Sequence, residues 1–174
     1  LKNIAAAAMT LAVVFGAASL KPVTANAAEA SVSASIEEEN SYISFQDEAY
    51  QNEFLRRVNN ERAKAGLKPV QLGDSNHNSA AQERAEEIAT VNSHVRPNGT
   101  KWYTVLSEYG VTDAAAGENA AWGSVSPEEV VNAWMNSEGH RANILDPEAR
   151  AMGVGYYYNS SSAWGHQWIQ LFTK

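Results

Sequence analysis

Apolar residues recur at helical spacing through the middle of the chain and at strand spacing towards its end. Phe54, Leu55 and Val58 mark one face of a helix. Ser44-x-x-Asp47 has the form of its N-cap, and Gly66 supplies the stop. Ala81, Ala85 and Ile88 stand at i, i+4 and i+7 and predict a second helix, whose small residues imply close packing on a neighbour. Residues 92–100 (NSHVRPNGT) read as a loop, because Pro97, Asn98 and Gly99 carry turn chemistry. A short helix over Lys101 to Tyr109, closed by Gly110, follows. Ser126-Pro127-Glu128-Glu129 predicts a sharp helix start, with Ser as N-cap, Pro at the first helical position and Glu at the third. Val130, Val131, Trp134 and Met135 form its buried stripe. Gly139 reads as the end of that helix, which would place His140 at a helix exit.

The period then changes. Met152, Val154, Tyr156 and Tyr158 alternate with Gly153, Gly155 and Tyr157. Trp164, His166, Trp168, Gln170 and Phe172 alternate with Gln167, Ile169 and Leu171. Joined by Asn159 to Ser162, these segments predict an antiparallel hairpin, and Gly117 to Trp122 is a further strand candidate. Helices first and strands last predict an α+β domain in which helices cover an antiparallel sheet.

The N-terminal part carries a different pattern. Ile4 to Leu20 is apolar and uncharged, follows Lys2, and precedes Ala25-Asn26-Ala27. These are the parts of a secretory signal peptide; the alternative is a membrane anchor near the lower length limit for a span. The expected division is a signal peptide over 1–27, an acidic linker over 28–45 around Glu37-Glu38-Glu39, and one domain over 46–174. The protein is therefore expected to be secreted and extracellular, without a membrane span after cleavage. Losing Lys2 and Lys21 takes the formal charge from −7 to −9. Such a charge argues against nucleic acid or an anionic membrane surface as partner. The absence of cysteine excludes thiol catalysis, cysteine metal sites and a disulfide framework.

Few residues offer chemistry. Of the four histidines, His94 lies in the Pro/Gly loop and His140 near a helix end, while His77 and His166 carry no motif. Glu118 sits among small apolar residues in Ala116-Gly-Glu-Asn-Ala120, a costly place for a carboxylate without partners. A salt bridge to Arg96 or Arg141 would satisfy it without catalysis. Neither H-E-x-x-H nor G-x-S-x-G is present. A serine nucleophile at Ser93 or Ser137 has no recognisable oxyanion hole.

The ordered motifs add what spacing alone does not. Gly117-Glu-Asn119, then Ser126-Pro-Glu-Glu-Val-Val-Asn-Ala-Trp-Met-Asn-Ser-Glu-Gly-His-Arg-Ala-Asn-Ile-Leu145, then Met152-Gly-Val-Gly-Tyr156 closely resemble the bacterial branch of the CAP superfamily, whose domain is also called SCP. Val58-Asn-x-x-Arg62 and Ser93-His94 fit the same pattern, so the resemblance runs over about residues 48–173. It implies a three-layer α-β-α sandwich with a central antiparallel sheet. It also implies a cleft in which His94, Glu118 and His140 meet, with the two histidines able to hold Zn²⁺ or another divalent cation. The fourth cleft position, a glutamate in many eukaryotic members, is Ser137 here. Glu138 comes one residue later, rotated by ~100° on a helix. The implied function is an extracellular binding or effector module with a protein, lipid or cell-wall partner. The alternative is a zinc-dependent, peptidase-like hydrolase with Glu118 as the candidate catalytic residue.

Overall fold

The computed structural model describes residues 48–174. The segments expected to form a signal peptide and an acidic linker, and the expected Ser44 cap, lie outside the described residues. Helix α1 (Glu48–Lys64) buries Phe54, Val58 and Arg62 on one stripe and gives way at Gly66, whose φ of 73° is open to glycine. The two-residue strand β1 (Gln71–Leu72) leads into α2 (Ser75–Ile88). Asp74 caps this helix, accepting from the backbone N–H groups of Asn76 and His77. After the short α3 (Thr104–Glu108) comes β2 (Ala115–Trp122). Helix α4 (Pro127–Met135) opens as the sequence predicts, with the Ser126 hydroxyl accepting from the Glu129 N–H and Pro127 in the first turn.

The next element departs from expectation. Helix α4 ends at Met135, and Gly139 and His140 lie inside a separate helix, α5 (Glu138–Ile144). His140 therefore stands at a helix entry. Gly139 has no close neighbour and ordinary helical surroundings, so it terminates nothing. Strands β3 (Ala151–Asn159) and β4 (Gly165–Thr173) form the predicted hairpin.

The strand order is β1-β3-β4-β2, with three long antiparallel strands and β1 added in parallel along two residues of β3. Alternation along β4 feeds both layers, because successive side chains point to opposite faces. Trp168 and Phe172 join Phe54, Val58, Val130 and Trp134 on the α1/α4 side. Ile169 and Leu171 join Ala80, Ala81, Ala85, Ile88, Val105 and Leu106 on the α2/α3 side. The result is an α-β-α sandwich with one aromatic core and one built largely on alanine. On the alanine side, α2 rests directly on β3 at Gly153 and Gly155. A Cβ at Gly155 would overlap the Ala81 carbonyl and lie 2.6 Å from the Gln82 nitrogen. Beyond β1, α2 also satisfies the edge of β3. The Asn78 Oδ1 accepts from the Val154 N–H at 3.1 Å, and the Gln82 Oε1 from the Tyr156 N–H at 3.2 Å.

Candidate functional site

Strand β2 lies at the outer side of the sheet, and alternation sends Glu118 into the α2 layer and Asn119 into the α5 layer. The two candidate histidines approach this strand from opposite layers. His94 comes from the loop after α2, and His140 from the first turn of α5.

Glu118 has 1% of its side chain exposed. Its partners are Arg84 and His94, in place of the expected Arg96 or Arg141. The buried Arg84 donates from Nε to Glu118 Oε2 at 2.9 Å and from Nη2 to Oε1 at 3.3 Å. His94 meets Oε1 through Nδ1 at 2.7 Å. Arg84 also donates to Glu87 at 2.5 Å and to the Ser93 carbonyl at 3.1 Å, which fixes the residue before His94. Arg96, itself buried, joins Glu83, Glu87 and Glu108 and so ties the His94 loop to α2 and α3. Arg141 instead donates to the Met135 carbonyl at 3.1 Å. A ribbon of alternating charges thus runs beneath the loop, and His94 stands at its solvent end with 58% of its side chain exposed.

The other side of β2 is held by amides. Asn119 Nδ2 donates to the His140 carbonyl and to Gln170 Oε1, both at 3.1 Å. Asn143 Nδ2 donates to the Glu118 carbonyl at 3.0 Å and to Asn119 Oδ1 at 2.8 Å. A Cβ at Gly117 would lie 2.6 Å from Asn143 Oδ1, so glycine is what admits the amide. The three residues of Gly117-Glu118-Asn119 therefore do different things. Gly117 leaves room for Asn143, Glu118 anchors Arg84 and His94, and Asn119 ties the strand to α5. The His140 ring packs obliquely against Trp134, with centroids 6.4 Å apart. Ser137 is half-buried between α4 and α5, and Glu138 is exposed. Among the described residues, neither side chain hydrogen-bonds to His94, Glu118 or His140.

Arg84 is the site residue that motif reading misses. It occupies the same stripe of α2 as Ala81, Ala85 and Ile88, and an arginine on a small-residue helix face is the signal that marks it.

The two imidazoles are driven apart in protonation. The hydrogen bond to Glu118 raises the pKa of His94 above its ordinary 6.5, against partial burial. Burial lowers that of His140, and the neighbouring His94 charge lowers it further. NMR titration of the ring protons is expected to show His94 titrating above 6.5 and His140 below it. Glu118→Gln moves the His94 midpoint down, and His94→Ala moves the His140 midpoint up. Coinciding midpoints in the wild type contradict this arrangement. The signs for stability are opposite. The His94 contribution is complete below pH 6.5 and is lost as pH rises through its raised value. The His140 contribution is lost as pH falls from 6.5 through its lowered value.

A proton held on His94 Nδ1 towards Glu118 leaves Nε2 as a free donor atom for a metal, the usual carboxylate–histidine arrangement. The ring nitrogens of His140 hydrogen-bond to none of the described residues. No group of three or more His, Asp or Glu among the described residues is arranged to hold a metal ion. The donors a cation would find here are the imidazoles of His94 and His140, which reach β2 from opposite layers.

The model of the cysteine-rich secretory protein family matches residues 55–172. The Bacillus subtilis protein YkwD is 41% identical over 123 residues, which cover 70% of this chain and 47% of YkwD. The chain thus spans about half the length of that curated relative. An extracellular SCP-domain protein of Bacillus anthracis superposes with a TM-score of 0.62 at 25% identity, over 71% of this chain and 39% of that one. An outer surface protein of Borrelia burgdorferi shares the fold, with a TM-score of 0.63 at 20% identity over 73% of this chain and 93% of its own.

Proposed function

Because the chain belongs to the cysteine-rich secretory protein (CAP) family, we propose that it acts outside the cell as a CAP/SCP binding or effector module whose His94–His140 pair takes up a divalent cation. Zn²⁺ is the best chemical match for two imidazoles and water. A bound cation would supply an electrophilic anchor for donor atoms of an extracellular protein, lipid or cell-wall partner. Extracellular action is also supported by the solved Bacillus anthracis relative, described as an extracellular protein. No helix among the described residues is long and apolar enough to cross a membrane.

The observation that carries this reading is the bonding of Glu118. One oxygen accepts from both Arg84 and His94, and the other from Arg84, while the side chain is closed to water. A general base must be reachable by the proton it removes. Glu118 is instead built to orient His94, which favours binding over the zinc-dependent hydrolase alternative.

Calorimetric titration of Zn²⁺ tests the site. Saturable heat is expected from the wild type, with affinity falling at least about tenfold in His94→Ala and in His140→Ala. Equal isotherms for the wild type and the double variant would overturn it. Cleavage of a broad peptide library by the zinc-loaded protein, lost in both variants, would restore the hydrolase reading.

A further inference from the structure

The end of the sheet at which β3 turns into β4 carries a second surface. Tyr158 and Trp164 flank the β3–β4 turn, with relative exposures of 43% and 59%, and Val125 is exposed on the turn that runs beside them. The turns are tied together: the Gly123 N–H donates to the His166 carbonyl at 2.9 Å, and Trp168 Nε1 donates to the Ser124 carbonyl at 2.6 Å.

The aromatic rings behind this surface form a ladder from the core outwards. Trp168 lies 4.6 Å from Tyr156, Tyr156 lies 5.8 Å from His166, and His166 lies 5.0 Å from Tyr158, between centroids. The Tyr156 hydroxyl and His166 Nδ1 are 2.7 Å apart, which fixes the imidazole. An edge of the Tyr158 ring lies beside Gly165, where a Cβ would stand 3.3 Å from Cε2. Tyr158 is packed on His166 while 43% of it stays exposed, so a partner that covers it finds part of its side-chain freedom already lost.

The chemistry of the rim selects the partner. Ala151 to Thr173 contains no Asp, Glu, Lys or Arg, and neither does Asn119 to Pro127, in a chain of net charge −7. The groups beside the rings are the Asn159 amide and the hydroxyls of Ser160, Ser161 and Ser162, and the one carboxylate at the rim among the described residues is that of Glu129, which accepts from the Val125 N–H at 2.9 Å. Exposed flat rings bordered by hydroxyls, an amide and a carboxylate acceptor suit a ligand with apolar C–H faces and a hydroxyl-rich edge. A nucleic acid or an anionic headgroup would instead need positive charge at the rim.

We propose that the β3–β4 hairpin end binds an uncharged polysaccharide by stacking its sugar rings on Trp164 and Tyr158. The flat faces of β-1,4-linked glucose or N-acetylglucosamine chains suit exposed aromatic rings of this kind. This surface is distinct from the histidine pair. Trp122 stands four residues along β2 from Glu118, about 13 Å at strand spacing.

Co-sedimentation of the purified protein with insoluble chitin and with cellulose tests the assignment, with phosphatidylcholine vesicles as the second arm. Retention on at least one polysaccharide is expected. The apparent affinity should fall about tenfold or more in Trp164→Ala and in Tyr158→Ala, and be largely kept in Trp164→Phe. Both residues are exposed, so circular dichroism should report an unchanged fold. His94→Ala and His140→Ala should bind polysaccharide normally, which separates this surface from the metal site. Retention on neither polysaccharide overturns the proposal, as does retention indifferent to Trp164. Trp164-dependent partition into the vesicles without polysaccharide binding overturns it in favour of a membrane-inserting tip.

Discussion

Arg84→Met is expected to cost about 3–5 kcal/mol in equilibrium urea unfolding, because it leaves buried carboxylate without its cation. Arg84 is fully buried, and Glu118 retains only the His94 contact once the guanidinium is gone. Glu87 loses the same partner but keeps Arg96. The cost is an unpaired charge rather than a lost ion pair, which gives the experiment a second reading. The double variant Arg84→Met/Glu118→Gln removes the stranded charge and should recover part of the loss. A single variant within about 0.5 kcal/mol of wild type, the usual range of surface changes, would contradict the role given to Arg84. The urea midpoint and the His94 NMR midpoint should move together, since both depend on the placement of Glu118.

Gly155→Ala is expected to cost about 3 kcal/mol, the upper end of the usual range for overpacking. The new methyl group would strike the backbone of α2 at Ala81, which has no rotamer through which to escape. Helix α2 would have to lift from β3, and its hydrogen bond from the Tyr156 N–H to Gln82 would lengthen. The cost would spread to the site, because Arg84 stands two residues further along the same helix. Gly139→Ala is the matched control: its Cβ meets open space in a helix, and the change should be neutral or slightly stabilising. Thermal unfolding of the two variants separates close approach from a general intolerance of glycine replacement. Equal melting temperatures would show that α2 does not need Gly155.

These two sites mark how far the sequence is legible. The glycines of Met152-Gly-Val-Gly-Tyr156 stand out as one half of a strand alternation, and the hairpin follows from that period. What the glycines face is invisible until α2 is laid over them. The cap at Ser126 and the stop at Gly66 were legible for the same reason as the hairpin, since each depends on groups a few residues apart. Gly139 misled because a helix-ending glycine and a glycine in a first helical turn look alike without the chain's path. The two-residue β1 has no period to display.

The resemblance singled out His94, Glu118 and His140 together, and the sequence showed that Glu118 needed a partner. Which partner was a tertiary matter. Arg84 is 34 residues from Glu118, and His94 is 24 residues from it. Local rules on the chain do not reach across such separations. Helical period, caps and turn chemistry are properties of neighbouring residues, and they determined the helices and the hairpin. Burial and pairing are properties of layers. Only the sandwich, by closing α2 over one face of β2 and α5 over the other, decided that Glu118 orients His94 beside a less basic His140.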